Sequence, residues 1–311
     1  MTLTSERAVG ESSRRPIALI KAPSNLGLMP QPNEAEPGAR KAPDVLMSLG
    51  LGDRTPFAGQ QTVPAPAYSS AVDPETGVRN AAALRSYAET LSYAVGAELD
   101  RGSFPLILGG DRSILMGSTL ALRQRGRYGL LYLDAHTDFK LPETSPSKGA
   151  AGMDLAFATG HGPESLTRLG GYARLLEEED VVAFGYHDLK DPGSYTSKAI
   201  FETAIHRIDV SEARRQGLER SARAALRLAA NERTQGAFVH LDVDVIDKGV
   251  FPGVDTPEEG GLSPEELVEV LRAWVTQLDV LGLEVTIYDP DRDPDRRYGK
   301  LLVDTLGRAF A

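Results

Sequence analysis

Two short stretches carry the residues of this chain that could do chemistry. In YGLLYLDAHTD, Tyr128 to Asp138, an apolar run ends in Asp134, His136 and Asp138. In GAFVHLDVD a second apolar run ends in Asp242 and Asp244. Apolar runs of this length read as buried strands. On extended backbone, side chains two residues apart share one side, so these groups could converge at the C-terminal ends of two strands. Four carboxylates and one imidazole form a donor set for a pair of divalent ions such as manganese. Oxygen and neutral imidazole donors suit that metal better than iron–sulfur or structural zinc. Acidic residues capping helices after parallel strands are the plain alternative, and they explain His136 less well.

Further motifs extend the pattern: GGD at 109 to 111, PETSPS at 142 to 147, DVDVID at 242 to 247, and TPEEGGLSPEE. With DAHTD, in this order, they resemble the ureohydrolases, arginase and agmatinase among them, from about residue 16 onward. The resemblance implies a three-layer αβα sandwich with a mostly parallel central sheet. It implies manganese, one or two ions per chain, activating water for attack on a guanidinium carbon with release of urea and an amine. Asp134 and Asp242 match carboxylates that bridge both ions, His136 and Asp244 match ligands of one, and Asp138 matches a ligand of the other. Among these, His136 and Asp138 are also taken as catalytic, with His187 as a candidate for proton transfer alongside His161. Ser147, Thr256 and Asp191 match substrate-contacting positions. A homo-oligomer, trimeric or hexameric, is implied as well.

Several positions depart from the family pattern. Where GGDHS-like motifs carry a histidine ligand, this chain has GGDRS, with Arg112. Arginine stays protonated and is no ordinary neutral ligand. Its guanidinium could instead pair with Asp138 and replace the second cation. Ala151 stands at a histidine position, Asp154 at a proline, and Lys140 where an asparagine contacts the substrate. Aligning Pro290 puts Ile287 where a guanidinium-holding glutamate belongs. Glu284, three residues earlier, could serve as the anchor only through a local bulge, with Asp289 a comparable candidate. His240, two residues before Asp242, is a candidate to stand behind the ligands. The expected function is hydrolysis of a linear amidine or guanidino C–N bond, with arginine and agmatine poor substrates. The alternatives are a single-metal hydrolase on another small substrate, or a non-catalytic ligand-binding relative.

Strands alternating with helices must position these groups. PIALIKAP, FPLILGGD, the two acidic-ended runs, VVAFGYHD, AIHRIDV and VLGLEVTIYDP read as strands. Residues 79–99, 113–125, 163–178, 218–233, the segment after Ser263 and residues 298–310 read as helices, while 56–74 is a proline-rich loop. Such alternation gives a sheet covered on both faces, with ligands at the carboxyl ends of its strands. Residues 1–15 are polar and expected to be disordered, and 16–311 to form one domain. The 311 residues, 41% hydrophobic and 25% charged, suit a soluble α/β protein. A formal charge of -10 gives no encouragement to nucleic-acid or anionic-membrane binding. No cysteine is present for a disulfide or thiol nucleophile, and no run is long enough to span a bilayer. The expectation is a cytoplasmic protein with a small-molecule substrate.

Overall fold

The structure is a computed structural model, describing residues 15–32, 34–188 and 198–311. Its strands are β1 (Ile17–Ala22), β2 (Gly59–Thr62), β3 (Phe104–Gly109), β4 (Gly129–Leu133), β5 (Val181–Phe184), β6 (His206–Ile208), β7 (Ala237–Asp242) and β8 (Val280–Thr286). They form one sheet in the order β2-β1-β3-β8-β7-β4-β5-β6. Every pairing between them is parallel. Parallel strands need crossovers, and the helices that supply them cover both faces. That is why β3, β4, β5 and β7 are buried along their whole length and read as unbroken apolar runs.

Alternate residues of each strand face opposite layers. Leu131, Leu133, Val239, Leu241 and Val285 pack with Trp274 and Leu302, from the helices Pro264–Val275 and Arg297–Phe310. Leu130, Tyr132, Phe238 and Ile107 face Leu84, Leu91 and Leu120, from the helices Ala81–Asp100 and Leu115–Arg123. The Trp274 indole meets Phe184 edge-on at 5.3 Å and donates Nε1–H to Ala222 O. Ser263 caps its helix with a complete capping box through Glu266.

Two expectations differ. Residues 163–178 are not one helix: Glu164–Thr167 is a single turn, and Gly170 and Gly171 then take positive φ. The region 56–74 contains β2, a mostly exposed edge strand whose polar GQQT carries no apolar alternation. Residues 1–14, most of the segment expected to be disordered, lie outside the described residues, as does Asp191. No helix among the described residues is long and apolar enough to cross a membrane.

Candidate metal centre

β3, β8, β7 and β4 are neighbours in the sheet, and their C-terminal exits converge. After β3 the chain turns through Gly109 and Gly110. A Cβ on Gly110 would overlap Ser24 O, so only glycine passes there. Asp111 then accepts from Ser113 N at 2.8 Å and from Ser24 Oγ at 2.7 Å, fixing the turn that aims Arg112 inward. Ile287, at the exit of β8, donates its N–H to Gly110 O at 2.7 Å. It does so at φ 75°, a strained conformation for a β-branched residue.

The Arg112 side chain is almost wholly buried among carboxylates. Its Nη1 lies 2.5 Å from Asp138 Oδ2 and its Nε 2.6 Å from Asp242 Oδ2. Its Nη2 lies 3.3 Å from Asp244 Oδ2 and 3.2 Å from Asp255 Oδ1. Burial alone would lower the guanidinium pKa, but Asp138, Asp242, Asp244 and Asp255 raise it well above its usual value. The side chain therefore brings a fixed positive charge into the acidic cluster.

The acidic motifs converge by a route other than simple strand alternation. β4 ends at Leu133, and Asp138 reaches the cluster from a turn at φ 38°. One oxygen of each leading aspartate caps the turn that follows: Asp134 Oδ1 accepts from His136 N at 2.7 Å, and Asp242 Oδ1 from Asp244 N at 2.8 Å. Asp244 Oδ1 accepts from Ala135 N at 3.1 Å, tying the two exits together. Capping and ligation are thus compatible, because each leading aspartate keeps its Oδ2 for the centre. Asp134 Oδ2 is buried and makes no hydrogen bond.

His136 is buried with Nδ1 3.1 Å from Asp244 Oδ2 and 3.4 Å from Asp134 Oδ1, while Nε2 lies 3.8 Å from Glu258 Oε1. Burial would lower its pKa, yet Asp244, Asp134 and Glu258 together raise it well above the usual imidazole range. Burial pushes Asp138 up to about 6 despite Arg112. Burial and the Asp244 and Asp134 carboxylates likewise raise Asp242 against the pull of Arg112. Asp244 moves down to about 2: burial would raise it, and His136 and Arg112 outweigh that. Even with Arg112 in place, then, burial leaves Asp138 and Asp242 less acidic than ordinary carboxylates, while Asp244 is more acidic.

A divalent cation would offset the cost of burying these carboxylates. Oxygens of Asp134 and Asp244 and a ring nitrogen of His136 lie within 4.8 Å of one another. A second set, of Asp134, His240 and Asp242, meets the same limit. Mixed carboxylate and imidazole donors at this spacing fit a divalent metal ion.

The remaining expected residues divide between a cleft and the interior. The cleft, about 500 Å³ counted to its open mouth, is lined by Arg112, His136, Asp138, Ser147, Ala151, Asp255 and Thr256, together with the Gly27–Met29 turn. Lys140 is half-buried near Asp138 and Asp188, and burial lowers its pKa. His187 is half-buried and does not line the cleft; its Nδ1 lies 2.8 Å from Gly185 O. His161 pairs with Glu178 at 2.7 Å. Glu284 is not a substrate anchor: it is fully buried, with its oxygens bonded to His240 and Ser118. Ile287 packs into the apolar core, and the Asp289 side chain caps Asp291 N.

Sequence reasoning missed Asp255, which stands beside Thr256 yet meets Arg112 only through the loop after β7. It also missed Tyr132, whose apolar strand context hides a hydroxyl 3.2 Å from Asp138 Oδ2 and 3.1 Å from Asp154 Oδ1. One hydroxyl proton serves one acceptor. Burial and nearby Asp138 raise Asp154 well above the usual carboxylate range, and its Oδ1 also accepts from Leu155 N at 2.8 Å.

A profile of the Arginase family matches residues 15–310. The chain is 31% identical to the arginase of Bacillus caldovelox over 300 residues, 95% of this chain and 98% of that one. It is 30% identical to an arginase of Staphylococcus aureus over 296 residues, 94% and 96% of the two chains. The native B. caldovelox arginase structure superposes with a TM-score of 0.83, covering 96% and 98% of the two chains at 29% identity. By sequence and by fold, the chain belongs to the arginase family.

Proposed function

We propose that this protein is a metal-dependent hydrolase acting on a C–N bond of a small linear amidine or guanidino compound other than arginine or agmatine. The observation that carries the reading is Arg112 seated among Asp138, Asp242, Asp244 and Asp255, where its charge stands in for one cation. Asp134, His136 and Asp244 would hold a divalent ion, with manganese the expected metal. When bound, such an ion supplies Lewis-acid activation of water near neutral pH. Arg112 holds the cluster's carboxylates in place and sets a fixed positive charge at the floor of the cleft. Asp138, on the same floor with a pKa of about 6, is suited to hold and release a proton near neutrality. Ser147 and Thr256 offer hydroxyls on the wall, and Lys140 adds a cation near Asp138.

The exclusion of arginine rests on the absent anchor. A guanidinium is held by paired, charge-assisted hydrogen bonds to a carboxylate. Ile287 is apolar, Glu284 is committed to His240 and Ser118, and Asp255 already pairs with Arg112. The test is a screen of manganese-loaded protein against amidines, amides and guanidines, reading urea and ammonia release. Turnover of an amidine or guanidine, lost in Asp244→Asn, is expected. Arginine or agmatine turnover above about 10 per second, the ordinary enzyme median, would overturn the substrate assignment.

A further inference from the structure

We infer that His240 Nε2, with Asp134 and Asp242, forms a second divalent-cation site at the end of β7. This goes beyond the proposed function, which uses only the donors around His136.

His240 lies two residues before Asp242 and is buried on the helix Leu115–Arg123 side of the sheet. Its ring stacks on Tyr132 with centroids 4.6 Å apart and planes 4° from parallel, which fixes the orientation. Across the β7–β8 pairing it stands opposite Glu284, and its Nδ1 lies 2.6 Å from Glu284 Oε1. Glu284 Oε2 accepts from Ser118 Oγ at 2.5 Å. A carboxylate on Nδ1 places the ring proton there and leaves Nε2 as a lone-pair donor, the arrangement that orients metal-bound histidines.

Nε2 is buried and has no hydrogen-bond partner in the structure. A lone pair there has no donor to accept from. Oxygens of Asp134 and Asp242 and a ring nitrogen of His240 lie within 4.8 Å of one another. Two metal–ligand bonds of about 2.1 Å span at most about 4.2 Å, so a small cation bound here would draw the three donors together and be shared among them. One imidazole and two carboxylates suit manganese, zinc, cobalt or iron in the divalent state. Arg112 leaves the end of β3 without an imidazole ligand, and His240 supplies one from β7.

Titration of the metal-stripped full chain with Mn2+ and, separately, Zn2+ tests this by calorimetry, with anomalous scattering from crystals of the loaded protein to place the ions. Metal binding is the readout, so the result stands apart from any failure of the proposed reaction. Wild type is expected to show two classes of site. His240→Gln should lose one class and keep the other, and His136→Gln should do the reverse. Glu284→Gln, which spares the stack on Tyr132, should weaken the same class as His240→Gln by roughly 10–100-fold. If His240→Gln does not fold, Glu284→Gln decides. Unchanged affinities in Glu284→Gln, or in a folded His240→Gln, would overturn the site. So would anomalous density confined to the His136 donors with only water at His240 Nε2.

Discussion

Replacing Arg112 by methionine removes the only side-chain cation, among the described residues, that lies against Asp138, Asp242 and Asp244 together. Breaking a buried ion pair by deleting one partner destabilises by about 3–5 kcal/mol, because the other charge stays buried and unpaired. Here three buried carboxylates lose that partner at once, which places the expected loss at the upper end of the range in metal-free protein near pH 8. Protonation relieves part of it. Asp138 already sits at about 6 with Arg112 present, against about 4 for an ordinary unfolded aspartate. A raised carboxylate pKa destabilises above the folded-state value, and the penalty fades as pH falls through that value. The deficit of Arg112→Met should therefore shrink between about pH 8 and pH 5. Divalent metal should relieve it too: a cation at about 100 times its Kd adds about 2.7 kcal/mol, more in the variant if its sites bind more tightly. The assay is urea unfolding of both proteins in chelator and in Mn2+, at both pH values. A variant as stable as wild type in chelator near pH 8, with no larger gain from Mn2+, would refute the counter-charge role of Arg112.

Three further outcomes follow from the same geometry. Arg112→His removes a cation and supplies an imidazole, so Mn2+ affinity at the neighbouring carboxylates should rise by at least roughly tenfold; urea release from arginine should stay low, since Ile287 is unchanged. Gly110→Ala drives a Cβ into Ser24 O and should cost about 3 kcal/mol in urea unfolding, with weaker Mn2+ binding because the turn aiming Arg112 shifts. Ser263→Ala breaks the capping box remote from the centre, and should cost about 1 kcal/mol while leaving metal affinity unchanged.

What the sequence could reveal followed physical rules of different reach. β4 and β7 were legible because strands buried on both faces must be apolar throughout. The Ser263 cap was legible because its hydrogen bonds close within four residues. β2 was not: an exposed edge strand needs no apolar alternation, and GQQT has none. The helix expected at 163–178 does not form, because Gly170 and Gly171 take the chain out of helical geometry. At the centre, the clustering of Asp134, His136, Asp242 and Asp244 and the intrusion of Arg112 could be read from short motifs. The pairing of Arg112 with Asp255, and of His240 with Glu284, joins positions far apart in the chain. Only the β7–β8 register makes Glu284 a partner of His240 instead of a substrate anchor.

The central claim is that a guanidinium and a divalent ion share this cluster. A crystal structure of the Mn2+-loaded protein, with anomalous differences collected at the manganese edge, tests it most directly. The expected result is a manganese peak bonded by Asp134, His136 and Asp244, with Arg112 still seated against Asp138 and Asp242. Arg112 swung out of the cluster, with two manganese ions bridged by Asp134 and Asp242 in its place, would contradict it.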